Sequence, residues 1–197
     1  MRIAITGASG SGKTTLASEL ARTAGLRHIE IDALHHGPNW ESCGPDVLRE
    51  RVGAATEGDG WVTDSTYHRV LGNFVVERAD MLVWLDLPVS VIMWRLLRRT
   101  HRRIRDRVEL WNGNVEPGWR VTTRYLIVPA LRTVLANRRE FPRRYAGVNM
   151  RRLRSDDEVR GFVRSLASDA QSIHAAARMS GSSNGSERQN VPPSLER

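Results

Sequence analysis

Short, unbroken apolar runs alternate along the chain with longer stretches whose apolar residues recur at helical spacing. Residues 3–6 form one such run, and Leu16, Ala17 and Leu20 are helically spaced within 14–23. The glycines between them therefore fall at a strand-to-helix turn. HIEID, 28–32, reads as a second strand ending in a carboxylate, 45–55 as a helix, and WVTDS as a third strand ending at Asp64. MLVWLDLP, 81–88, is apolar without alternation, the pattern of a parallel strand covered on both faces, and Pro88 closes it. Val91, Ile92, Leu96 and Leu97 predict a helix over 89–99. An Arg-rich stretch to Arg107 and the segment WNGNVEPGW follow, and this middle section reads as mobile. A further helix is predicted over 122–137, a fifth strand over 146–153, and a final helix from Ser155, which stands with Glu158 in the S-x-x-E spacing of a capping box.

Strands that alternate with helices call for a parallel sheet with right-handed crossovers. The expected fold is a three-layer α/β domain over 1–170, with ligands bound beyond the carboxyl ends of the strands. Asp32, Asp64 and the loop after Thr6 all lie there. From 171 to 197 the chain is rich in Ser, Gly, Asn and Pro and too poor in apolar residues to offset ordering entropy, so a disordered tail is expected.

Composition sharpens this picture at a few points. No run approaches the roughly 18 uncharged apolar residues of a membrane span, and the first residues lack the long apolar stretch of a secretory signal. The expectation is a soluble, cytoplasmic protein with no membrane partner. Cys43 is the only cysteine, which rules out an internal disulfide. The formal net charge is +8, and Lys13 is the only lysine among 30 basic residues. A chain that uses arginine everywhere else and keeps one ammonium in GSGKTT suggests a position that needs a compact point charge rather than a planar fork. The excess of arginine itself fits an anionic small-molecule ligand, a nucleic acid, or a compositional bias with no function.

Gly7, Gly12, Lys13 and Thr14 satisfy G-x-x-x-x-G-K-[ST], between a predicted strand and a predicted helix. Glycines let the backbone curl so that successive N–H groups point inward, and the helix N-terminus adds partial positive charge. The loop from Gly7 through Ala8, Ser9, Gly10, Ser11 and Gly12 to Lys13, Thr14 and Thr15 is thereby expected to cradle the phosphates of ATP. Lys13 would bridge the β- and γ-phosphates and Thr14 would offer its hydroxyl to Mg²⁺. With one lysine the chain contains no N-K-x-D segment of the kind GTPases use for guanine.

The chain resembles the nucleoside and nucleotide kinase branch of P-loop proteins, and most nearly the adenylate kinase-like group described as DNA topology modulation proteins. The likeness rests on the phosphate loop and on IDALHHGPNW, WVTDSTYHRV, ADMLVWLDLP and ELWNGNVE. Ser65 and Thr66 replace the Gly and Asn of that group's W-[IV]-x-D-G-N-Y, and Val115 stands where its form has arginine. The resemblance implies a five-stranded parallel sheet in the order 2-3-1-4-5 and an Arg-bearing helical lid, here about 99–121. It implies that Asp32 takes the proton of an acceptor hydroxyl or holds Mg²⁺ through water, and that Asp64 is the acidic residue of the third strand, also a metal candidate. A helix cap is the alternative for either carboxylate. Asp86 reads as structural.

Arg95 and Arg99 are spaced to share a helix face, as do the paired arginines at the lid entrance of adenylate kinases, and could grip phosphate. Arg98, Arg102, Arg103, Arg105 and Arg107 crowd the same stretch, where like charges would favour an open lid until a polyanion arrives. His35, His36 and Trp40 fall in the expected acceptor segment, with no further ligand spacing for zinc. Trp40 and Tyr67 could stack on a base or sugar, although core packing is the commoner role. The function expected is transfer of the γ-phosphoryl group of ATP to a nucleotide, nucleoside or other small acceptor. The alternative is a nucleic-acid-associated NTP-binding regulator with unspecific, salt-sensitive DNA contacts.

Overall fold

The computed structural model describes residues 1–182, without the side chains of Val121, Thr123 and 170–182. Strands β1 (Arg2–Gly7), β2 (Arg27–Ile29), β3 (Trp61–Thr63), β4 (Met81–Leu85) and β5 (Met150–Leu153) form one sheet in the order β2-β3-β1-β4-β5. Every pairing is parallel, with β1 central between β3 and β4. The expected sheet and strand order are therefore observed.

Alternation along each strand divides the core into two layers. Ile3, Ile5, Val83 and Leu85 face α1 (Lys13–Ala24) and α9 (Asp156–Ser182), which contribute Leu16, Ala17, Leu20, Phe162, Val163 and Leu166. Ala4, Leu82 and Trp84 face the opposite way, toward α3 (Pro45–Ala55), the short α4 (His68–Leu71) and α5 (Phe74–Arg78), and α8 (Val128–Arg144). There Phe141 packs edge-on between Trp84 and Tyr145, at 5.2 Å from each ring. A smaller cluster of Ala8, Leu87, Ile92 and Val134 lies under the phosphate loop and ties it to α6 (Val89–Arg105) and α8. Among the described residues, no helix is long and apolar enough to cross a membrane.

Several boundaries differ from the expectation. The second strand stops at Ile29, and α2 (Ile31–His35) begins at once, so Asp32 sits in a helical first turn rather than at a strand end. The helix expected to end at Arg99 runs on to Arg105, because arginine is a good helix former and the apolar positions hold one face. The helix expected over 122–137 is replaced by α7 (Trp119–Thr122), a π-turn (Thr123–Ile127) and then α8. The final helix reaches Ser182, into the segment expected to be a disordered tail from 171, through an Ala-rich stretch of high helix propensity. The remainder of that tail, 183–197, lies outside the described residues. Half of the expected capping box is present: Glu158 N–H donates to Ser155 Oγ (3.2 Å), but Glu158 Oε2 reaches past the cap residue and accepts from the Arg154 N–H (2.8 Å).

Asp86, read as structural, is so. It is buried at the end of β4 and accepts from Arg138 Nε (2.7 Å) on α8 and Arg152 Nε (3.0 Å) on β5. Arg152 also lies over the Trp84 ring. Asp86→Asn would leave both guanidinium groups without their counter-charge. Since each arginine is about one-third exposed, the loss is expected near the low end of broken buried pairs, about 2 kcal/mol, read as a lower urea midpoint at unchanged slope.

Candidate functional site

The phosphate loop leaves β1 at Gly7 and enters α1 at Lys13. Gly10 has φ +88°, and a Cβ there would meet the Ile92 carbonyl oxygen at 2.7 Å and Leu96 Cβ at 2.9 Å, so α6 packs against bare backbone. Gly12 is the N-cap in a left-handed conformation with no side-chain cap, and the first turn of α1 carries no acidic residue. The first N–H groups of α1 are thus left for an anion. Ser11 is buried with its hydroxyl unpartnered among the described residues, a second polar group at the loop without a protein acceptor.

Lys13 folds back over the loop, donating from Nζ to the Ala8 carbonyl oxygen (3.1 Å). Burial lowers its pKa, while Asp32 and Asp64 raise it and the nearby Arg99 lowers it further. Such a cation is electrostatically uncomfortable until a polyanion arrives.

Asp64 follows β3 and is only 2% exposed. It accepts from Thr14 Oγ1 at 2.7 Å and from the Ile31 N–H at 3.4 Å, and His28 Nε2 lies 3.8 Å away. Burial pushes its carboxyl up, but His28, the Thr14 hydroxyl and Lys13 together outweigh burial and hold it below the usual carboxylate range. It therefore stays ionised at neutral pH; its favourable interactions would be lost only as pH falls through that lowered value. A hydroxyl beside a buried carboxylate is an oxygen donor set suited to a hard cation such as Mg²⁺.

Asp32, in the first turn of α2, makes no capping bond. It accepts instead from Tyr67 Oη at 2.6 Å. Tyr67 is held at φ 44°, and burial followed by the Asp32 charge raises its pKa far above the ordinary value, so it remains a donor. His36 Nε2 lies 3.5 Å from the same oxygen, and the His35 ring meets Tyr67 edge-on at 5.0 Å. Arg99 comes down from α6 into this group, its pKa lowered first by burial and then by Arg103, against the opposing pull of Glu116 and Asp32.

Lys13, Thr14, Asp32, Asp64 and Arg99 are thus brought together at the carboxyl ends of β1, β2 and β3. Arg95 lies apart from the carboxylates: it is bound to both oxygens of Asp156 (2.7 and 2.8 Å), and a side chain on Gly12 would meet its Nη1 at 3.8 Å. It flanks the loop. The expectation that repulsion holds the lid open is not met. Of the crowded arginines, Arg103 pairs with Glu116 and Arg105 with Asp106, so acidic residues offset part of the cluster. Residues 111–115, in the stretch expected to form a lid, lie on residues 36–40 instead. Asn114, buried, accepts from the Trp40 N–H (2.8 Å) and donates to the Gly37 carbonyl (2.9 Å). Asn112 donates to the His36 carbonyl, Trp111 Nε1 to Glu30 (2.7 Å) and Trp40 Nε1 to the Val115 carbonyl (3.0 Å). Sequence reasoning missed His28, Glu30, Asn112 and Asn114; the repeated asparagines of WNGN were the one visible signal. Among the tryptophans, Trp61 and Trp84 are buried in the core, whereas Trp94 and Trp119 are exposed.

No family model matches the chain. Among curated proteins it is similar to a cytidylate kinase of Pyrococcus horikoshii, 27% identical over 49% of this chain and 56% of the relative. A cytidylate kinase of Thermococcus sibiricus is 30% identical over 49% of this chain and 56% of its own. The chain thus spans little more than half the length of the curated relatives it matches. Among solved structures, a gluconokinase from Sinorhizobium meliloti superposes with a TM-score of 0.52 at 21% identity, covering 91% of this chain and 96% of that one. A shikimate kinase from Bacteroides thetaiotaomicron does so with a TM-score of 0.54 at 16% identity, over 87% and 98%. The chain thus has the sheet order and the phosphate loop of P-loop proteins, and over about half its length it is similar in sequence to cytidylate kinases.

Proposed function

We propose that the protein is a small-molecule kinase that transfers the γ-phosphoryl group of ATP to an acceptor hydroxyl in the presence of Mg²⁺. The observation that carries this reading is the 2.7 Å bond between Thr14 and buried Asp64, with Lys13 and Asp32 on either side. A loop that bound phosphate passively would have no use for two carboxylates at its mouth.

The loop amides and the N-terminus of α1 hold the triphosphate, and Lys13 neutralises charge that develops on the transferring group. Thr14 directly, and Asp64 through water, would hold Mg²⁺, which when bound neutralises the phosphate oxygens and keeps them aligned. Asp32 accepts the proton of the acceptor hydroxyl, and Tyr67, by donating to its other side, fixes the carboxylate's orientation. Arg99 adds a second cation from the lid, and Arg95, fixed by Asp156, borders the nucleotide beside Gly12. The segment around 111–115 excludes water that would otherwise compete as acceptor.

Thr14→Ala tests the metal assignment. The variant is expected to need about tenfold more Mg²⁺ for half-maximal ADP formation, since one ligand is lost from a site with few protein ligands. An unchanged Mg²⁺ requirement would refute the assignment.

A further inference from the structure

We infer that His28 is a positioning residue of this site: it presents an Nε2–H to the buried Asp64 carboxylate and keeps that group turned toward Thr14, where Mg²⁺ would be held. The metal assignment rests on the kinase reading above, whereas the contact between ring and carboxylate stands without it. His28 lies on β2 in register with Val62 of β3, and Asp64 follows two positions beyond Val62. The His28 side chain is 15% exposed, and its Nε2 is 3.8 Å from Asp64 Oδ2. Its Nδ1 faces the other way, 3.3 Å from Ser18 Oγ on α1. Thr14 and Ser18 are four positions apart and share one face of that helix. Their hydroxyls meet the two ends of one short polar chain, Thr14 on the carboxylate and Ser18 on the imidazole.

The surroundings fix where the ring proton sits. Among the described residues, Nε2 is buried without a hydrogen-bond partner, and Asp64 Oδ2 is the acceptor it faces. A neutral imidazole carries one proton. If Nδ1 held it, the Nε2 lone pair would be set against a carboxylate oxygen. With the proton on Nε2 the ring attracts the carboxylate, and the Ser18 hydroxyl can turn to donate to Nδ1. At 3.8 Å this attraction acts through space, and a ring movement of roughly 1 Å would make it a direct hydrogen bond.

Asp64 has a use for this donor. Its Oδ1 accepts from the Ile31 N–H at a long 3.4 Å, and its Oδ2 accepts from Thr14 at 2.7 Å. Thr14 is also the residue whose hydroxyl oxygen the metal would take, so a second fixed group on Oδ2 keeps the carboxylate in place beside it. Burial works against the ionised carboxylate, and among the groups that favour it His28 comes ahead of Thr14 and Lys13. Groups that stand behind a metal position in this way set the orientation of the ligand itself.

Two measurements test the assignment. In the purified chain labelled with ¹⁵N-histidine, the His28 signals, one set among six histidines, are those missing from His28→Gln. Above neutral pH the ring is expected as the Nε2–H tautomer, and a proton on Nδ1 alone overturns the inference. ATP binding is then followed by calorimetry across a range of Mg²⁺ concentrations. His28→Leu is expected to raise the Mg²⁺ needed for half-maximal binding about fivefold, less than Thr14→Ala because the ring acts one group further from the metal. His28→Gln, whose amide can donate from a similar place, is expected to stay within about twofold of the parent. A Gln variant as poor as the Leu variant, or a Leu variant with the parent's Mg²⁺ requirement, means that the ring only fills space, and either overturns the inference. Should His28→Leu fail to fold, judged by its thermal melt, the tautomer decides. A parent chain that binds no ATP at any Mg²⁺ concentration removes the kinase reading, and the tautomer still shows whether His28 faces Asp64 as a donor.

Discussion

Lys13→Met should lower kcat/KM for ADP formation by about 10²–10³-fold while leaving the thermal midpoint of the apo-protein unchanged or higher. The two halves have one cause. Burial lowers the Lys13 pKa in the folded chain. For a base, a folded-state pKa below the unfolded one means that folding disfavours the charged form. At every pH below the unfolded value, which includes neutral pH, the ammonium therefore subtracts from stability. Methionine keeps much of the stem's volume and removes the charge; relief of desolvation, the largest influence on Lys13, offsets the lost bond to the Ala8 carbonyl and the lost attraction of Asp32 and Asp64. The transition state has no such offset: charge on the transferring phosphoryl group loses the cation nearest the loop, and Arg99 on the lid cannot occupy the same place. Arginine is a poor substitute, because a planar guanidinium does not reproduce the compact ammonium that donates to the Ala8 carbonyl at 3.1 Å. Activity within tenfold of the parent, measured beside a thermal melt of both proteins, would show that Lys13 acts only as part of the loop's packing.

What the sequence made legible and what it hid divide along contact range. The phosphate loop was readable because its determinants lie within nine consecutive positions and impose local backbone geometry. The apolar runs and the helical spacing between them pointed to a parallel sheet with right-handed crossovers, whereas the strand order was implied only by the resemblance to P-loop kinases. The environment of Asp32 was not readable. Its hydroxyl partner Tyr67 lies 35 positions away, and the Asn114 contacts to Trp40 and Gly37 span 74 and 77. Neither pair leaves a periodicity. The open lid failed for the same reason: repulsion among the arginines was visible locally, but the contacts that hold 111–115 on the 36–40 segment, Trp40 to Val115 and Asn112 to His36, span 75 and 76 positions. The early end of β2 is a subtler case. Ile31 belongs to the core on both readings, but its N–H turns to Asp64, which starts a helix where the apolar run alone suggested a longer strand.

Asp32→Asn should lower kcat by about 10²–10⁴-fold, the range of a lost general base, with MgATP affinity changed little. The substitution keeps the shape of the side chain, and an amide oxygen can still accept from Tyr67 Oη, so the acceptor segment has no reason to collapse. What is removed is the capacity to receive a proton. Tyr67→Phe is the companion variant. It leaves the carboxylate in place without the donor that orients it, and it is expected to cost only about tenfold in kcat, the smaller loss belonging to a positioning residue. The order of the two effects separates chemistry from architecture. If Asp32 served mainly to anchor Tyr67, Asp32→Asn, which can keep the 2.6 Å contact, would cost no more than Tyr67→Phe, which removes it. If it is the base, Asp32→Asn is much the worse although it disturbs the structure less. Single-turnover measurements at saturating MgATP read this directly, since they isolate the chemical step from lid opening and product release.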